Sequence, residues 1–259
     1  MSLEVEVVEN PAHVCAGILD QAATAGGHVV LAGGSTPKAS YHELAQALQS
    51  EGADHGRATF WFGDERCVPP EDERSNYLMV RQALLDPLAA RPAAGSPMAG
   101  SPVAASSLGG GSQPTVHRIR GELGPVGAAE HYERVLREAG APRFDLVLLG
   151  LGPDGHTASL FPDQDSLSEG SRLAIGVPVA GLEPFVARVT LTLPALASAR
   201  RVVFLAAGAS KADAVTAAFG PRARPNRHVP ASLLVPLASE ITVLLDRAAA
   251  AGLRAEERR

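Results

Sequence analysis

The chain has 259 residues, room for one large α/β domain or two small ones, and 46% of them are hydrophobic, as in ordinary globular proteins. A formal net charge of −5 argues against a nucleic-acid or anionic-membrane partner, either of which selects a basic face. The opening residues MSLEVEVVEN carry acids where a secretory leader carries bases and an apolar run, no stretch approaches membrane-spanning length, and two cysteines (Cys15 and Cys67) are too few for a disulfide framework, so a cytoplasmic location is expected.

Taken in order, the apolar pattern predicts a strand at 5–8 and a helix at 11–25 that stops at Gly26-Gly27. A strand at 28–32 runs into Gly33-Gly34-Ser35-Thr36-Pro37, and 38–48 has helical spacing with Tyr41, Leu44, Ala45 and Leu48 on one face. Such a junction aims free backbone N–H groups and the positive end of a helix at one spot. It reads either as an anion cradle or as a plain turn capped by Ser35 or Thr36. Two glycines and two hydroxyls exceed what a cap needs, which favours the cradle. The strand at 59–62 delivers Asp64, Glu65 and Arg66 directly beyond its end, as ligand-facing groups or as an exposed salt-bridged loop. Residues 75–85 read as a helix capped by Asp72 or Ser75.

From 89 to 114 the composition turns to Ala, Gly, Ser and Pro, with Arg91 as the only charge. This reads as a mobile surface excursion within a single domain spanning 1–259, because the α/β alternation resumes with a strand at 116–119 and a helix at 125–139. Residues 144–149 are an apolar run apart from Asp145, the pattern of a strand buried on both faces. Gly150, Gly152, Pro153, Asp154 and Gly155 then force a reversal, with His156 across the turn and 157–160 expected to open a short helix. Beyond an acidic loop come strands at 176–179, 188–193 and 202–207. The last meets Gly208-Ala209-Ser210-Lys211 and a helix at 212–218, a second strand–glycine–hydroxyl–helix junction. A basic, Pro-rich loop (221–230), a helical turn (231–235), a strand (241–246) and a polar helix from Arg247 complete the chain. The alternation predicts an α/β fold with a mostly parallel, doubly wound, Rossmann-like sheet and helices on both faces, with ligands collecting beyond the carboxyl ends of its strands.

Only two of the 23 Lys and Arg residues are lysines, Lys38 and Lys211, and both follow glycine turns. A compact ammonium beside a phosphate accounts for that placement, as does chance in an Arg-rich chain. Gly150, Gly152 and Gly155 formally match the dinucleotide fingerprint. Pro153 sits inside the turn, however, and Glu169 falls in a loop where the ribose-binding acid should end a strand. A nucleophile elbow, a Walker lysine and an HExxH pair are all missing. Seven histidines (His13, His28, His42, His55, His117, His131 and His228) read as surface or core residues.

LAGGSTPKASY (31–41), FWFGDERCVPPEDERSNY (60–77), FDLVLLGLGPDGHTASLFP (144–162), RVTLTLPAL (188–196) and VVFLAAGASKADAV (202–215) resemble the 6-phosphogluconolactonases, in the right order over most of the chain. More distantly the chain is similar to the glucosamine-6-phosphate deaminases. The excursion at 89–114 departs from the family pattern and lies outside every matching block. The resemblance implies hydrolysis of 6-phosphoglucono-δ-lactone to 6-phosphogluconate, with neither metal nor cofactor. His156 is then the general base, with Asp154 fixing its tautomer or holding the water. Gly33, Gly34, Ser35 and Thr36 with Arg188 and Lys211 hold the phosphate, Arg66 faces the substrate, and Asp64 orients Arg66 or binds sugar hydroxyls. Two alternatives stand beside it. One is an amino-sugar-phosphate isomerase or deaminase with Asp64 as the proton-abstracting base and His156 as the ring-opening histidine. The other is a non-catalytic sugar-phosphate sensor. Nothing in the residues addresses the oligomeric state.

Overall fold

The computed structural model describes residues 2–51, 55–90 and 113–253. In chain order these form β1 (Ser2–Val7), α1 (Pro11–Thr24), β2 (His28–Leu31), α2 (Ser35–Glu51), β3 (Thr59–Phe62), β4 (Asp64–Arg66), α3 (Asn76–Val80), α4 (Asp86–Ala89) and β5 (Thr115–His117). There follow α5 (Gly124–Glu138), β6 (Leu146–Gly150), β7 (Ala174–Val177), β8 (Arg188–Leu191), α6 (Leu193–Ala197), β9 (Arg201–Ala206), α7 (Ala212–Phe219) and β10 (Glu240–Leu245). Seven strands make one parallel sheet in the order β1-β10-β9-β6-β2-β3-β5, flanked by helices.

Its central strands are apolar without alternation because both faces are covered. Val147, Leu148, Val203, Phe204 and Val243 are all fully buried. From β2 the chain builds outward to β3 and β5, then returns to β2's other side with β6 and builds through β9 to β10. The strand order therefore reverses between β2 and β6. Beyond their carboxyl ends lies the crevice where such sheets take ligands.

A second sheet, β4-β8-β7, is antiparallel and stands at this edge. Gly63 hinges β3 into it, its N–H donating to Leu31 O (3.0 Å) while its carbonyl accepts from Leu191 N (2.8 Å). The sequence pattern predicts neither this sheet nor β4. Three charged residues carry no apolar alternation, and the partners that make them a strand, Arg188 to Thr190, lie far downstream.

Other expectations are corrected. Helix α2 begins at Ser35, not at 38, because Ser35 and Thr36 belong to its first turn and Pro37 suits that turn, where N–H groups lack helical partners. Residues 157–160 form no helix. Ala158 has φ +48°, and Thr157 bridges Leu160 instead. The stretch 75–85 keeps its predicted Ser75 cap (Oγ accepting from Leu78 N, 3.1 Å), but α3 passes into a π-helical segment, Arg81–Leu85. From Arg247 to Leu253 the chain forms turns that bury Ala249, Ala250 and Leu253 rather than a polar helix. Of the excursion at 89–114, residues 91–112 lie outside the described residues.

One buried acid holds this edge together. Glu65 is 3% exposed, and its carboxylate accepts from Arg66 N and Asn76 N (both 2.7 Å), Tyr77 N (2.7 Å) and Ser75 Oγ (3.0 Å). Burial raises its pKa, and these four bonds act in the opposite direction. Glu65→Ala leaves four donors unpaired and is expected to lower the unfolding free energy by about 3 kcal/mol in urea titrations, and a loss under about 1 kcal/mol would contradict this role.

Candidate active site

Three glycine-bearing turns meet at the switch point. The first follows β2. Gly34 adopts φ +103°, a left-handed value open to glycine, and Gly33 has no room for a Cβ because Asn76 Oδ1 occupies that space. The turn feeds straight into α2, so the free N–H groups of its first turn stand at the cavity wall beside Gly33, Gly34, Ser35 and Thr36.

The second turn follows β6. Gly152 N donates to His156 O (2.8 Å), Gly155 N to Gly152 O (3.0 Å) and Thr157 Oγ1 to Gly150 O (2.9 Å). Gly155 has φ +81°, and a Cβ there would fall 2.8 Å from Val229 Cγ1. A Cβ on Gly152 would collide with the His156 ring and the Asp154 carboxylate. The reversal brings His156 Nδ1 to 2.5 Å from Asp154 Oδ1, which also accepts from His156 N at 3.2 Å. A carboxylate accepts only, so Nδ1 carries a proton, and in the neutral ring the lone pair stands on Nε2. Burial pushes the Asp154 pKa up, but the His156 hydrogen bonds and charge outweigh it and leave the carboxyl below its ordinary value. Phe161 lies against the ring, 4.8 Å between centroids.

The small sheet supplies cations. Arg66 and Arg188 are register partners across β4 and β8, like charges directly opposite each other. Arg66 Nη1 donates to Arg74 O. The Arg188 guanidinium donates to the carbonyls of Val186 (3.2 Å) and Pro184 (2.8 Å). Lys211 enters from the third turn, after β9, where Gly208 has φ +93°. Among the described residues none of the three is ion-paired. Burial lowers the pKa of Arg188, opposed by Asp64 and assisted by Arg66; burial likewise lowers that of Lys211, opposed by Asp154. Three cations partly removed from water, without carboxylate partners, invite an anion.

All ten residues singled out from the sequence for the site line one cavity of about 220 Å³ with the exception of Asp154, which touches it through His156. Lys38 does not line it; it is exposed on α2. Asp64 is 7% exposed and already engaged, accepting from Ser159 Oγ (2.6 Å) and Asn76 Nδ2 (3.2 Å). Glu65, in doubt between ligand and surface loop, is neither, being committed to the backbone of α3. Asn76, Leu182 and Glu183 also line the cavity and were not singled out. Asn76 and Ser159 stood inside the matching text, but only contacts from distant strands reveal what they hold. Among the described residues no cluster of three or more His, Cys, Asp or Glu side chains has metal-binding geometry, and no helix is long and apolar enough to cross a membrane.

A parallel doubly wound sheet with a helix N-terminus, three cations without carboxylate partners and a His–Asp pair around one cavity at its switch point defines an α/β protein of the class that binds small ligands there. The chain belongs to the glucosamine-6-phosphate isomerases/6-phosphogluconolactonase family, whose model matches residues 4–243. It is 40% identical over 235 residues to a 6-phosphogluconolactonase of Synechocystis sp., covering 88% of this chain and 85% of that one. To the 6-phosphogluconolactonase of Homo sapiens it is 36% identical over 226 residues, covering 85% and 78%. The solved 6-phosphogluconolactonase from Trypanosoma cruzi superposes with a TM-score of 0.74 at 29% identity, over 97% of each chain. A monomeric glucosamine-6-phosphate deaminase (TM-score 0.76, 21% identity, 97% of this chain and 100% of that one) shares the fold.

The Asp154–His156 bond has a pH signature. A carboxyl whose folded pKa lies below its unfolded value of 3.8 adds stability that is present above that pH and is lost as pH falls through the folded pKa. The stability difference between the protein and Asp154→Asn should therefore be constant near neutrality and shrink as the pH is lowered below 3.8. A difference independent of pH down to the acid transition would show that the bond contributes nothing.

Proposed function

We propose that the protein hydrolyses 6-phosphoglucono-δ-lactone to 6-phosphogluconate, with a water activated by His156 and without a metal ion. The observation that carries this reading is the single cavity shared by an Asp154-oriented imidazole and three unpaired cations. A lactone is an activated ester, so its hydrolysis asks for a base, a place for the developing negative charge, and a grip on the substrate.

In this mechanism Nε2 of His156 takes a proton from water as the oxygen attacks the lactone carbonyl carbon. The carbonyl π electrons move onto oxygen and form a tetrahedral oxyanion. Asp154 holds the tautomer and offsets the charge of the resulting imidazolium. Collapse of the oxyanion re-forms the carbonyl and breaks the bond to the ring oxygen, which leaves with the proton returned by His156. The phosphate lies against the backbone and hydroxyls of Gly33, Gly34, Ser35 and Thr36, with Arg188 and Lys211 as its cations. Arg66 faces the reacting end, where a preorganised positive group stabilises an oxyanion. Asp64 serves through the groups it holds. The scarcity of cysteine supports a cytoplasmic enzyme.

The direct assay adds protein to freshly generated lactone and follows acid release above the spontaneous rate. An unaccelerated rate together with ammonia release from glucosamine 6-phosphate would replace this reading with the deaminase one. His156→Ala should lower kcat by about 10²- to 10⁴-fold while calorimetry still detects 6-phosphogluconate binding. Undiminished turnover would remove the base assignment. Arg188→Ala and Lys211→Ala should raise KM more than they lower kcat, and an unchanged KM in both would remove the phosphate assignment.

A further inference from the structure

The base and the two arginines of this site stand on different parts of the molecule. His156 is carried by the turn after the parallel sheet's central strand, whereas Arg66 and Arg188 are carried by the antiparallel sheet. Thr157 Oγ1 ties the turn back to its own strand at Gly150 O, and Ala231 N ties it to the segment behind through Gly155 O (3.0 Å). Neither bond reaches the small sheet.

Among the described residues, the hydrogen bonds from the His156 turn to the small sheet both come from Ser159. Its hydroxyl donates to Asp64 Oδ2 (2.6 Å), and its N–H donates to Thr190 Oγ1 (3.3 Å). Ser159, Asp64 and Thr190 are all buried, Ser159 and Thr190 fully. Asp64 and Thr190 are themselves register partners across β4 and β8. Two residues along each strand, on the same face, stands the next partner pair of that parity, Arg66 and Arg188. Ser159 thus docks about 7 Å, two strand residues, from the two guanidinium-bearing positions.

We propose that Ser159 is a positioning residue for the reaction: by docking on the Asp64/Thr190 pair it sets the distance between His156 and the Arg66/Arg188 pair. This rests on the lactonase reading. Ser159 touches no reacting atom; it acts through Asp64 and Thr190. A base and an oxyanion cation must be in register with the same carbonyl carbon, and a displacement of about 1 Å can cost 10²-fold in rate. A shift between the two halves of the site affects the transition state, which spans both, more than it affects substrate binding.

Ser159→Ala, assayed with the lactone well below its melting temperature, should lower kcat by about 10- to 100-fold while KM and 6-phosphogluconate affinity stay within about threefold. Ser159→Cys, which keeps a weak donor at similar volume, should fall between the two. Thr190→Val, which removes the second acceptor at constant shape, should lower kcat in the same sense. A folded Ser159→Ala protein with kcat within about twofold of the parent overturns the proposal, since a merely structural bond would change only the melting temperature. If Ser159→Ala does not fold, the Cys and Val variants decide by the same criterion. A parent protein that binds 6-phosphogluconate but does not accelerate lactone hydrolysis removes the lactonase reading instead. Positioning is then read from the His156 imidazole NMR signals, whose shift on adding 6-phosphogluconate should fall to under about half of the parent value in Ser159→Ala. Equal shifts overturn it.

Discussion

Parallel pairing of β6 between β2 and β9 is the constraint on which the site rests. The pairs Val29↔Leu146 and Val30↔Val147 join β6 to β2, and Leu146↔Arg201 through Gly150↔Leu205 join it to β9. Adjacent strands lie about 4.8 Å apart, so three carboxyl ends, and the glycine turns that follow them, fall within about 10 Å across the sheet. Ser35, His156 and Lys211 come from remote parts of the chain and meet because their strands are neighbours. A one-residue slip of a fully buried strand would exchange its two faces throughout the core, and so the register that defines the core also defines the cavity.

The electrostatics of the site follow from what was left unpaired. Opposed arginines on neighbouring strands repel, and burial adds to the cost of Arg188. Carbonyls of 182–186 and of Arg74 take up part of the guanidinium hydrogen bonding, but a carbonyl brings no countercharge. Asp64, the acid whose charge acts most on Arg188, has both carboxylate oxygens engaged by Ser159 and Asn76. An arriving anion therefore lowers the repulsion between the arginines and favours the charged form of Lys211, which burial opposes. The protein holds a field organised before the ligand arrives, the arrangement most effective for stabilising an oxyanion.

Where the sequence was legible, local patterns carried the information. The glycine turns, the apolar runs of β2, β6 and β9, and the His156 reversal depend on neighbours within a few residues, and they appear where the spacing predicts. What could not be read depends on distant partners. Asp64, Glu65 and Arg66 become a strand only because β8 arrives to pair with them. Residues 157–160 have helical composition but are drawn out of it by Ser159 bonding to β4 and β8. The segment after Arg247 coils to bury alanines that a composition rule assigns to a solvent-facing helix.

The alternation of a three-residue strand resolves the ambiguity of the Gly63-Asp64-Glu65-Arg66 run. Successive side chains on a strand point to opposite faces, so Asp64 and Arg66 share one face and Glu65 takes the other. On the first face Asp64 receives the His156 turn and Arg66 enters the cavity. On the second, Glu65 anchors the start of α3 and with it Asn76, whose amide returns to bond Asp64 O (2.9 Å) and fills the space beside Gly33. An exposed loop carrying the same three charges would leave them free to neutralise one another. A strand separates them by geometry, so an acid that holds the scaffold lies between two groups that belong to the site. Glu65 is thereby kept from pairing with Arg66, and the arginine remains available to an anion.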